Sequence, residues 1–202
     1  MPEGSRIHTS MAYTWPYLME IEPRASMTFE VLRPFLAPRH RVVLDLFCGF
    51  APLYERVSAH LPGCEYRGFD CSVDAVSHLR ARHPGGLWEL ARDEEFSFRG
   101  GVDVMLHLGV SAGERATDSK IEPAVDGAVL RACRPSVVML ETSSGHYDRI
   151  RAAGLPHHWD AIVSDVESLG YELAAAAEFD AGLSRAIVSV RKMRVYALRT
   201  SS

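Results

Sequence analysis

Three residues raise the question of chemistry: Asp45, Gly49 and Asp70. In the stretch VVLDLFCGFAPLY, residues 42–54, an apolar run carries Asp45 near its end and passes through one glycine into helical spacing. Gly49 lets the backbone turn sharply and lets a ligand approach the chain. Pro52 suits a first helical position, where its missing N–H costs nothing. Ala51 then falls at or near the cap, and a helix start without a side-chain cap leaves N–H groups for water or a ligand. Asp70 closes the next apolar run, EYRGFD, about 20 residues past Gly49, near the spacing of an acid that holds ribose hydroxyls. A carboxylate suits that task because it accepts two hydrogen bonds from a vicinal diol. Taken singly, Asp70 equally suits a helix cap, and the loop equally suits a plain strand–helix junction.

Groups able to move a proton near neutral pH come next. The candidates for a general base are His107, in the apolar run VDVMLHLGV, and His146, which follows SVVMLETSS and precedes Tyr147. The chain has 9 histidines, so a structural role competes for each of them. His157, His158 and Asp160 do not form a metal set, because adjacent histidines on a helix or turn diverge, and no metal is expected. Tyr13, Trp15 and Tyr17 suit either a lid that excludes water or rings that pack an arm onto the body. Trp88 and Trp159 read as core residues.

The elements that must position these groups alternate. Strand patterns cover RVVLDLF, EYRGFD, LWELAR, VDVMLHLGV and SVVMLET. Helical patterns cover PLYERVSAHL, SVDAVSHLRARH with a Ser cap, KIEPAVDGAVLRAC and WDAIVSDVESLGY. Before them, SMTFEVLRPFL reads as a helix capped at Ser26 and ended near Pro34, after roughly 24 irregular residues. ELAAAAEFD and RAIVSVRKMRVYALR are expected to pair antiparallel around AGLS. This order implies a doubly wound, mostly parallel sheet, whose ligands bind where strands end in loops. The loops to inspect follow Leu46, Phe69, Arg92, Leu108 and Thr142.

In combination these segments resemble the class I S-adenosylmethionine-dependent methyltransferases over roughly residues 40–200. VVLDLFCGFAPL is similar to their first motif, YRGFD to the second, and LWELARDEE to the third. The closing antiparallel pair resembles the one that separates this fold from the dinucleotide-binding dehydrogenases. The resemblance implies a seven-stranded Rossmann-like methyltransferase sheet with an antiparallel final strand. It implies S-adenosyl-L-methionine as cofactor. Asp45 and the backbone around Phe47, Cys48 and Gly49 would hold its methionine end, and Asp70 its ribose. Asp93 and Glu94 would lie beside the adenine, and Leu108 with Gly109 would line the floor beside the methyl group. Phe47 and Ala51 stand where the family motif carries glycines, and Ala51 raises the question of whether its methyl group intrudes on the methionine end.

The acceptor is less defined. HLGVSAG replaces the acid-or-Asn, Pro, Pro, aromatic string of the nucleobase-amine subfamilies, and no Pro-Cys dipeptide is present for attack on cytosine. A formal net charge of −4 also speaks against nucleic acid, whose phosphates call for Lys and Arg. A small-molecule acceptor, methylated at oxygen or nitrogen, is therefore expected. With 202 residues, 47% hydrophobic and 24% charged, the chain suits one globular domain, residues 39–202, behind an N-terminal arm and helix, residues 1–38, that could act as a lid. Cys48, Cys64, Cys71 and Cys133 form no C-x-x-C pair and are expected as reduced, buried thiols of a cytoplasmic protein. No signal peptide or membrane span is expected. Two other readings remain at this point: a non-catalytic binding protein on the same fold, and a nicotinamide-dependent oxidoreductase, which lacks its G-x-G-x-x-G.

Overall fold

A computed structural model describes residues 14–70, 72–90, 100–109, 121–154, 157–180 and 190–199; for residues 14–22, 121–124, 143, 145, 146, 149, 150 and 180 it describes the backbone alone. Seven strands form one sheet. They are β1 (Val42–Leu46), β2 (Glu65–Asp70), β3 (Leu87–Leu90), β4 (Val104–Leu108), β5 (Val137–Ser143), β6 (Tyr171–Asp180) and β7 (Val190–Leu198). Their order across the sheet is β3-β2-β1-β4-β5-β7-β6. The pairs from β3 to β5 are parallel, whereas β7 runs antiparallel to both β5 and β6.

The chain builds outward from β1 to β3, then returns to place β4 against the other side of β1. That reversal makes the carboxyl ends of β1 and β4 the switch point where a ligand crevice forms. The central strands read as continuous apolar runs because both faces are covered. On one face Val43, Val104, Leu106, Met139 and Val195 meet Leu32, Val57, Val76 and Leu79. On the other Leu44, Leu46, Met105, Val138 and Leu140 meet Val129, Leu130, Trp159, Ile162 and Val166. The helices behind these contacts are α1 (Thr14–Leu32), α2 (Tyr54–His60) and α3 (Val73–Arg82) on the first face, with α4 (Ile121–Cys133) and α6 (His158–Ser168) on the second. Between β5 and α6 lies α5 (Ser144–Ala152).

Ser72 caps α3 as expected, its side chain accepting from the Ala75 N–H at 3.2 Å. Trp88 and Trp159 are buried, as core residues should be. Three details differ from the sequence reading. The N-terminal helix starts at Thr14 rather than near Ser26 and carries Pro23 inside it, then tightens into a 3-10 turn at Arg33–Phe35. The helix after β1 starts at Tyr54, with Leu53 as an N-cap that makes no side-chain bond. The three described cysteines are free: Cys48 is buried, whereas Cys64 and Cys133 are half-buried; Cys71 lies outside the described residues. Among the described residues no helix is long and apolar enough to cross a membrane.

Candidate functional site

The loop between β1 and α2 is built on left-handed backbone. Phe47, Gly49 and Ala51 have φ of 52°, 52° and 45°. For Phe47 and Ala51 this conformation costs on the order of 1–2 kcal/mol, so the surroundings must hold it. Cys48 N–H donates to Phe69 O at 2.9 Å, which ties the loop to β2. Gly49 N–H donates to Asp70 Oδ2 at 2.7 Å, and Ser72 N–H donates to Asp70 Oδ1 at 2.8 Å. Asp70 therefore clamps the first loop to the second. The methyl group of Ala51 is buried in the core cluster with Leu53 and Val57, which places that alanine in the packing of the loop's underside.

Asp45 is strongly perturbed by its surroundings. It is fully buried, and its Oδ2 accepts from the Tyr66 hydroxyl at 2.7 Å. Its Oδ1 is buried with no hydrogen-bond partner. Burial pushes its carboxyl up from 3.8 to about 7, the Asp70 charge adding to the rise and the Tyr66 hydrogen bond, His107 and Arg24 opposing it. Cys48, packed beside it, is an inert thiol, held well above its ordinary range by burial and by the two carboxylates. Gly68 permits the close packing here. A Cβ on it would stand 2.6 Å from Trp88 ring carbons and 2.9 Å from the Cys48 sulfur.

On the far side of β1, His107 is buried at 1% exposure and its Nδ1 lies 2.7 Å from Asp126 Oδ2 on α4. The Phe47 ring packs against the imidazole at 5.1 Å between centroids. Leu108 ends β4, and Gly109 follows with φ 103° and an N–H bonded to Glu141 O at 3.0 Å. Arg24 of α1 leans over this point: its Nη2 lies 3.6 Å from where a Cβ on Gly109 would stand. The same arginine donates from Nε to Glu141 Oε1 at 2.7 Å, and Thr28 Oγ1 donates to Glu141 Oε2 at 3.3 Å. Arg191 of β7 approaches the same carboxylate at 3.7 Å.

The structure thus brings Asp45, Phe47, Cys48, Gly49, Asp70 and Leu108 to one edge of the sheet, with His107 behind them. His146 has its backbone in the first turn of α5, and its side chain lies outside the described residues. Asp93 and Glu94 also lie outside them, as does Tyr13; Trp15 and Tyr17 belong to α1 by backbone alone. Sequence reasoning missed Tyr66, Arg24, Glu141 and Asp126. Glu141 did carry a signal, a lone charge in a strand otherwise apolar enough to be buried on both faces. Asp126 carried one too, one helical turn before Leu130 on the apolar stripe of α4.

Comparison with known proteins reports on the fold. No protein-family model matches the chain, and no curated protein matches its sequence. Solved structures do match. The N-methyltransferase NodS from Bradyrhizobium japonicum WM9 is 10% identical with a TM-score of 0.67, over 88% of this chain and 95% of that one. A TehB-like SAM-dependent methyltransferase from Corynebacterium glutamicum is 19% identical with a TM-score of 0.62, over 93% and 96%. Magnesium protoporphyrin IX methyltransferase (ChlM) from Synechocystis PCC 6803, solved with bound SAH, is 12% identical with a TM-score of 0.63, over 98% and 90%. At these identities the likeness concerns architecture: the chain has the fold that these methyltransferases share.

Proposed function

We propose that this methyltransferase fold works as one, transferring a methyl group from S-adenosylmethionine to an oxygen or nitrogen of a small molecule. The observation that carries the reading is Asp45 Oδ1, a buried acceptor without a partner at the switch point of the sheet. Leaving such a group unsatisfied costs about 1–3 kcal/mol, and an ammonium offsets that cost. The α-ammonium of the cofactor's methionine end supplies the charge, and the backbone of Phe47, Cys48 and Gly49 lines the same end. Asp70, an acceptor-only carboxylate at the end of β2, takes the ribose hydroxyls. Leu90 stands beside Asp70 in the pairing of β2 and β3, and Val73 opens the helix that follows; both are exposed apolar side chains suited to flank an adenine ring. Asp93 and Glu94 are proposed for the adenine amine, and Leu108 with Gly109 for the floor beside the methyl group.

The cofactor supplies a sulfonium-activated methyl group, so the protein's work is to position and desolvate the reacting pair. The loop does this by rigidity, since Asp70 fixes Gly49 and β2 fixes Cys48. For an acceptor that arrives protonated, His146 at the start of α5 is the proposed base. His107 is the second candidate, its ring oriented by Asp126. The two guanidinium groups gathered on Glu141 favour a neutral or anionic acceptor over a protonated amine. The N-terminal helix, through Arg24 and Thr28, is the proposed cover of that side.

Thermal-shift titration with S-adenosylhomocysteine tests the reading. Wild type is expected to bind and to be stabilised, and Asp70→Ala to lose most of the shift. An unchanged shift in Asp70→Ala, or none in wild type at millimolar ligand, contradicts it.

A further inference from the structure

We propose that Tyr66 is a positioning residue for ligand binding at Asp45, fixing the carboxylate so that Oδ1 faces the ligand while Oδ2 is held by the phenol. The inference takes its ligand from the methyltransferase reading but its geometry from the protein alone. A carboxylate turns easily about its last bond, so the two oxygens are equivalent until something distinguishes them. Here the distinction is the Tyr66 hydroxyl, a buried phenol that donates to Oδ2 at 2.7 Å.

Tyr66 is itself held rigidly. It is buried in β2, with the Tyr54 ring perpendicular to it at 5.3 Å and the Trp88 ring at 5.8 Å. Trp88 is fixed in turn: its indole N–H donates to His83 O at 2.7 Å, and its own carbonyl accepts from Arg80. The space Trp88 occupies exists because residue 68 is glycine. A chain of packed rings therefore runs from the β3 edge of the sheet to one oxygen of one carboxylate.

The phenol does not exchange its proton in use. Burial and the adjacent Asp45 charge hold it well above the ordinary tyrosine range, so it remains a donor. It also favours the ionised carboxylate that an ammonium requires. The other charged groups that act on Asp45 are Asp70 from the end of β2, which opposes ionisation, and His107 from β4 and Arg24 from α1, which favour it. The buried Cys48 thiol lies on the loop beside it. Among the influences that favour ionisation, the Tyr66 hydrogen bond is the largest.

The variant Tyr66→Phe keeps the ring and removes the hydroxyl. Carbon-13 NMR titration of the Asp45 carboxyl in the ligand-free protein is expected to show its midpoint raised by about one pH unit. Affinity for S-adenosylhomocysteine is then expected to fall about fivefold at about pH 7, and about tenfold at lower pH, and to recover as pH rises. A purely structural role would leave the midpoint in place and weaken binding equally at every pH, and either result overturns the proposal. Incorporation of fluorotyrosine provides a second arm that preserves the packing. Its more acidic hydroxyl is a stronger donor and should move the midpoint down, and no movement counts against the proposal. The NMR arms need no ligand. Failure of wild type to bind S-adenosylhomocysteine would count against the methyltransferase reading, while the titration would still decide on Tyr66.

Discussion

Replacing Asp45 by Asn should make the protein respond differently to pH in a way that can be calculated. The Asp45 carboxyl titrates at about 7 in the folded chain and at 3.8 when unperturbed. The folded state therefore binds more protons than the unfolded state between those values, and stability falls as pH rises through that window. Below it both states are protonated and the group contributes nothing. Above it the full difference, about 4 kcal/mol, opposes folding. Between about pH 4.5 and about pH 8 the wild type should lose about 3 kcal/mol through this one group, the rest of the penalty being already present at the lower pH. Asp45→Asn keeps an acceptor for Tyr66 but cannot ionise. It places an amide donor in a buried site at a pH-independent cost of about 1–3 kcal/mol. The difference in unfolding free energy, variant minus wild type, should rise by about 3 kcal/mol from the lower to the higher pH. Urea denaturation at both pH values, followed by tryptophan fluorescence, measures it. A constant difference would refute the reasoning, because it would mean that burial does not hold the Asp45 proton.

Two further substitutions test the packing around the site. Gly68→Ala forces a methyl group into Trp88 and the Cys48 sulfur and should lower stability by about 1–3 kcal/mol, read as a drop in Tm. Glu141→Ala leaves the buried Arg24 guanidinium without its carboxylate and should cost about 3–5 kcal/mol. Hydrogen exchange should show that loss first in α1, where Arg24 and Thr28 reside.

How much of this was legible in the sequence follows from what each feature depends on. The strands were readable because β1, β4 and β5 are apolar runs covered on both faces, and such runs announce themselves without knowledge of the fold. Asp45, Gly49 and Asp70 were readable because an acid at a strand end and a glycine in a turn are local signals. Tyr66 was not, because its role depends on the pairing that sets Asp45 opposite Gly68, and pairing is a long-range property. The expected start of the first helix rested on Ser26 as a cap, yet the helix begins at Thr14 and runs through Pro23. α5 went unread because SGHYDRIRA has almost no apolar periodicity; its contacts with β5 and β7 come from the tertiary fold. The question about Ala51 was one of direction. Its methyl group belongs to the core cluster with Leu53 and Val57, a placement that spacing along the chain does not report.

The central claim is that Asp45 meets the ammonium of an amino-acid-bearing nucleoside. Calorimetric titration of S-adenosylhomocysteine at about pH 6, in two buffers of different ionisation enthalpy, tests it most directly. With the carboxyl mostly protonated before binding and ionised afterwards, nearly one proton should be released per ligand bound. Asp45→Asn should abolish that release and weaken binding. Binding without proton release, or with the same release in Asp45→Asn, would contradict the account.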